Sequence, residues 1–92
     1  MSSSKNWDLQ VDPDVSKSLK KIPRREAEVI LEVIRLLPFN PHFGDIQRMK
    51  GSSNIWRRRV GNYRLFYKID SEKRIILVFR LGRRTSKTYK KK

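Results

Sequence analysis

The chain has 92 residues, 37% of them apolar, and a formal net charge of +14; that length buries one modest core and no second. It contains no cysteine and one histidine, which excludes disulfides, thiolate metal sites, a cysteine nucleophile and a histidine acid–base pair. No apolar run approaches the ~20 residues of a membrane span, and Met1-Ser2-Ser3-Ser4-Lys5 leads into no apolar signal core, so one cytoplasmic domain over residues 1–92, without membrane association, is expected.

Trp7-Asp8-Leu9-Gln10-Val11 alternates apolar with polar and predicts a short half-buried strand. Asp12-Pro13-Asp14 is a helix start, with Asp12 as N-cap and Pro13 in the first turn. Val15, Leu19 and Ile22 follow at helical spacing, and Pro23 ends this helix and opens a second. In the second, Ala27, Ile30, Leu31, Ile34 and Leu37 form one stripe, widened by Val29, Val33 and Leu36. So broad an apolar surface predicts heavy burial against a sheet. Pro38 stops the helix, and Phe39-Asn40-Pro41-His42 is a loop in which His42 has a packing role, without a second metal ligand nearby.

Beyond Gly51-Ser52-Ser53-Asn54 the period becomes two. Ile55 to Val60 is a strand, Gly61-Asn62 a hairpin turn, Tyr63 to Ile69 a strand, Asp70-Ser71-Glu72-Lys73 a turn, and Arg74 to Leu81 the last strand. The expected fold class is α+β: a small β-α-α-β-β-β domain, its antiparallel sheet carrying two helices on one face. The last strand, apolar on both sides over Ile75–Phe79, suits a covered central position.

Charge is distributed unequally. Residues 47–92 hold sixteen Lys and Arg against Asp70 and Glu72, whereas residues 1–46 carry seven of each sign. The basic half is therefore a polyanion-binding surface, and nucleic acid is the expected partner. Alternation separates Arg57 and Arg59 from Trp56, Arg58 and Val60, and separates Arg64, Phe66 and Lys68 from Tyr63, Leu65, Tyr67 and Ile69. If the helices cover one face, arginines from several strands converge on the other, where their planar forks match phosphate oxygens. Tyr63, Tyr67 and Tyr89 are candidates to stack on unpaired bases; taken singly, Trp56, Tyr63 and Phe66 read as core. The opposing interpretation is that basic residues only keep an exposed sheet soluble, but so large an excess on one half surpasses what solubility needs.

Lys50-Gly51, the run Trp56-Arg57-Arg58-Arg59-Val60-Gly61-Asn62-Tyr63-Arg64-Leu65-Phe66-Tyr67, and Leu81-Gly82-Arg83-Arg84 with a later Tyr89 resemble the RelE family of the RelE/ParE toxin superfamily. The resemblance implies the toxin of a type II toxin–antitoxin system: a ribosome-dependent endoribonuclease that cuts messenger RNA in the decoding site and is silenced by an acidic, RelB-like antitoxin in a hetero-oligomer. It implies catalytic roles for Arg57, Arg59, Arg64, Arg84 and Tyr89, with Arg83 an alternative to Arg84, and RNA-binding roles for Arg58, Arg83, Lys87, Lys90 and Lys91. The family has a pair of basic residues at the positions of Arg57 and Arg59, which are lysines in its best-known member. Arginine stays protonated near neutrality, so these residues are expected to stabilise phosphorane charge and Tyr89 to act as base, with neither metal nor cofactor. Two rival functions keep the same fold: a ParE-type gyrase inhibitor, and an RNA- or ribosome-binding module without chemistry.

Overall fold

A computed structural model describes residues 7–52 and 54–83. Along the chain come β1 (Asp8–Val11), α1 (Pro13–Leu19), α2 (Arg24–Leu36), β2 (Ile46–Arg48), β3 (Ile55–Val60), β4 (Tyr63–Asp70) and β5 (Ile75–Arg83). The start of α1 follows from its residue types. The Asp12 carboxylate accepts the Asp14 N–H at 2.9 Å, satisfying a donor the first turn cannot, and Pro13 has no N–H to satisfy. Pro23, with extended ψ of 139°, separates the helices, and its carbonyl accepts the Ala27 N–H to begin α2.

The sheet runs β1-β5-β4-β3-β2. Its three meander pairings are antiparallel, but β1 lies parallel to β5, with Leu9 beside Ile76 and Val11 beside Val78. The sheet is thus mixed, and it has one strand more than the sequence pattern predicts. Both refinements have one cause. The helical pair carries the chain across one face to the far edge, where Ile46-Gln47-Arg48 pairs with β3; three residues are too few to display a period. From there the meander walks back until β5 lies beside β1 and runs in the same direction.

Alternation along β4 is clean: Tyr63, Leu65, Tyr67 and Ile69 are buried. With Ile76 and Val78 they meet Val15, Leu19, Ile30, Ile34 and Leu37 from the helical layer. The hairpin between β3 and β4 closes with Gly61 alone at positive φ (59°), as a type II′ turn requires. Helix α2 corrects the expectation of heavy burial. Ala27, Ile30, Val33 and Ile34 face the sheet, whereas Val29, Leu31 and Leu36 are 53%, 42% and 41% exposed. The domain has two layers, so only one stripe of the helix meets a partner surface.

Candidate nucleic-acid interface

The face of the sheet opposite the helices is ordered in rows by strand register. Gln47, Arg57, Phe66 and Arg80 lie side by side across β2, β3, β4 and β5, and Arg59, Arg64 and Gly82 form the adjoining row. A small cleft of about 80 Å³ opens among Asp45, Gln47, Arg57, Arg59 and Arg64. Arg57 donates through Nη2 to the Gln47 amide oxygen. Arg59 and Arg64 are directly opposed, an arrangement of like charges that is unfavourable by itself and that an anion between the guanidiniums would relieve.

Among the described residues, Asp45 supplies the only carboxylate of this cleft. Its Oδ2 lies 3.3 Å from Arg59 Nε, and its carbonyl accepts the Arg59 backbone N–H at 3.0 Å. With side chains 50% and 69% exposed, the ion pair contributes at most ~1 kcal/mol to stability. Its consequence is orientation. Contact at Nε fixes the plane of the guanidinium and leaves the outer Nη1–Nη2 fork available to a phosphate.

The loop that brings Asp45 forward is held from beneath by Arg58. Its side chain projects to the helix side, where the guanidinium carbon sits 4.2 Å from the Phe43 ring centroid and Nη1 donates to the Phe43 carbonyl at 2.7 Å. Gly44, at φ 87°, passes so close that a Cβ would fall on that guanidinium. His42 meets Trp56 edge-on at 5.3 Å, the packing role expected of it. Arg58 is therefore separated from the arginine cleft and engaged in structure, in contrast to the expected RNA contact.

Tyr63 and Tyr67 also face the helices. The Tyr67 hydroxyl donates to the Pro41 carbonyl at 3.3 Å, and burial pushes its pKa up to about 12. Tyr63 donates to Glu26 at 2.7 Å; that hydrogen bond, followed by burial, raises its pKa. Neither ring can stack on a base, so that expectation is corrected for both. Arg83 pairs in register with Tyr63 and lines a groove with Ser18, Lys21, Ile22 and Leu81 on the helix side. It does not join Arg57, Arg59 and Arg64. Arg84, Lys87, Tyr89, Lys90 and Lys91 lie outside the described residues.

Three residues of the open face carried no signal of their own in the sequence. Asp45 and Gln47 belong to a loop and a strand too short for periodicity. Arg80 faces outward because β5 bulges at Phe79: Tyr67 pairs with Val78 and Phe66 with Arg80, so Phe79 and Arg80 both appear on the open face. Phe66, read singly as core, lies partly buried on this face beside Arg57.

A two-helix layer on a five-strand mixed sheet, with a basic cleft on its bare face, defines a RelE-like α+β domain, and comparison with known proteins agrees. The model of the family described as ParE toxin of type II toxin–antitoxin system, parDE, matches residues 9–87. The chain is 32% identical over 81 residues to the protein named "Putative toxin RelE1" of Methanocaldococcus jannaschii, covering 85% of this chain and 90% of that one. Among solved structures it resembles the toxin fold in the archaeal RelE–RelB complex from Pyrococcus horikoshii (TM-score 0.77, 22% identity, 88% of this chain and 98% of that one). It also resembles the fold in the RelBE2 toxin–antitoxin complex from Mycobacterium tuberculosis (TM-score 0.73, 22% identity, 86% and 99%). The chain belongs to the ParE toxin family of type II toxin–antitoxin systems, within the RelE/ParE superfamily.

Proposed function

We propose that this toxin is a metal-independent endoribonuclease that cleaves messenger RNA in the decoding site of the ribosome. The observation that carries the reading is the convergence of Arg57, Arg59 and Arg64 on one cleft of the bare sheet face. In the proposed reaction the ribose 2′-oxygen attacks the adjacent phosphorus and the bond to the 5′-oxygen breaks, leaving a 2′,3′-cyclic phosphate and a 5′-hydroxyl. The three guanidiniums stabilise the charge that grows on the phosphorane oxygens. Tyr89, as its phenolate, takes the 2′-proton, Arg84 stabilises the charge on the departing 5′-oxygen, and water protonates that oxygen. No group of this set is an efficient base in free solution, so the ribosome contributes by positioning the RNA. A cognate acidic antitoxin that covers the basic face completes the reading; family membership, the excess of cations and relatives solved as RelE–RelB complexes support it.

The test is incubation of the purified protein with a programmed ribosome complex and, separately, with naked RNA. Cleavage confined to the ribosome-bound message is expected; equal cutting of both, or of neither, overturns the proposal. A second reading, inhibition of DNA gyrase, is favoured by the family description that the chain matches. It predicts loss of supercoiling in a purified gyrase assay and intact messenger RNA.

A further inference from the structure

Phe66, Phe79 and Arg80 form a group on the bare face that the proposed chemistry leaves unused. The two rings lie with centroids 6.5 Å apart and planes inclined at 46°, and the Arg80 guanidinium carbon is 5.6 Å from the Phe66 centroid. Both rings are partly buried, each keeping some surface open, and Arg80 is exposed. The group exists because of the β5 bulge. With regular pairing, Arg80 would point into the helix side; the extra residue keeps Phe79 and Arg80 on one face. Phe66 stands directly opposite Arg57, about 4.8 Å away across the strands. Arg64, two residues along β4, is about 6.8 Å away.

We infer that Phe66, Phe79 and Arg80 form a nucleobase subsite, on which an unpaired RNA base stacks while its phosphate lies against Arg57 and Arg64. Aromatic faces interleaved with guanidiniums and placed one nucleotide's reach from a phosphate cleft are the elements of single-strand recognition. Charge selects the occupant. Arg57 and Arg80 flank Phe66 in its row, and Arg64 and Lys68 lie two residues to either side of it along β4. The Asp45 carboxylate nearby is paired with Arg59, and among the described residues no carboxylate lies in these strand rows. An apolar helix seated there would bury four cations, whereas a nucleotide brings the matching anion with its stacking surface. Stacking on a ring tolerates any base, so the subsite grips RNA without reading its sequence. The inference deepens the proposed function and rests on it for the RNA's source, the ribosome-bound message.

The test uses the full chain and a 2′-O-methyl hexanucleotide, which cannot be cleaved, in a normal form and a form with one central abasic residue. The wild-type chain should bind the normal form about tenfold or more tightly than the abasic one. Phe66→Leu and Phe79→Leu keep apolar volume and should erase that preference while leaving abasic binding and its salt slope unchanged. Phe66→Trp should restore it. Arg57→Gln should weaken both forms and lower the salt slope by about 0.7, the value for one phosphate contact on a single strand. Circular dichroism verifies that each variant folds. No discrimination or no binding by the wild-type chain, or full discrimination in both leucine variants, overturns the inference. So does a leucine variant that loses antitoxin binding while keeping discrimination, which would assign the rings to a protein partner. Because the oligonucleotide is inert, a wild-type chain that discriminates but cuts no ribosomal message would leave the subsite standing and fail the nuclease reading alone.

Discussion

Arginine's inability to give up a proton near neutrality decides how the cleft can act. In the proposed reaction Arg57, Arg59 and Arg64 hold the phosphate and stabilise charge, and the base is another group. Asp45 matters here through geometry. By engaging Arg59 at Nε it directs the outer fork toward the cleft, against the repulsion of Arg64. Asp45→Ala should therefore lower the ribosome-dependent cleavage rate about tenfold while changing unfolding free energy by less than ~1 kcal/mol, and Asp45→Glu should recover part of the loss; single-turnover kinetics and urea titration check both. Tyr67 gives a stability prediction with a defined sign. Its folded pKa of about 12 exceeds the ordinary 10.0, so between those values the native state holds the proton more tightly than the unfolded chain. The stability this provides is complete below pH 10 and is lost as pH rises toward 12. Thermal melts of the wild-type chain should show Tm falling over that interval, and Tyr67→Phe should remove the part of the fall that Tyr67 contributes.

At the scale of elements, the strands announce themselves and their edges do not. Tyr63 to Ile69 alternates so regularly that its buried set is fixed by period alone, and the Asp12-Pro13 start is local chemistry; both were legible. The bulge at Phe79 was not, because Ile75–Phe79 is apolar on both sides and carries no phase to reveal an extra residue. The same ambiguity affected α2. Its composition suits burial all round, but the number of packed layers is a property of the whole chain and not of the helix. Substitution separates the two descriptions. Ile30→Ala should cost about 2–5 kcal/mol, whereas Val29→Gln, on the exposed side, should stay within ~0.5 kcal/mol in denaturant titrations. Arg58 shows how charge misleads when read without structure: three consecutive arginines look equivalent, yet alternation sends the middle one beneath the Phe43 loop. Gly44→Ala, which sets a Cβ on that guanidinium and strains a φ of 87°, should destabilise the domain by ~1–3 kcal/mol and disturb the loop bearing Asp45.

Over the whole molecule, the neutral N-terminal half supplies the helices that close one face, and the basic half supplies the strands whose other face stays bare. That division puts Arg57, Arg59, Arg64, Lys68 and Arg80 on the face that a polyanion can reach, so any affinity for RNA or for an acidic antitoxin should be steeply salt-dependent. Raising salt from 50 to 200 mM should weaken ribosome binding by orders of magnitude while leaving the single-turnover rate of the bound complex nearly unchanged, since transition-state contacts act after encounter. The central claim is that Arg57, Arg59 and Arg64 act on the transition state and do not merely attract RNA. It is tested most directly by the single-turnover cleavage rate at saturating programmed ribosome for the wild-type chain and the three single alanine variants. Rates lowered about 10²–10³-fold, the loss typical of removing one charge-stabilising donor, are expected. Rates equal to wild type in all three variants would contradict it.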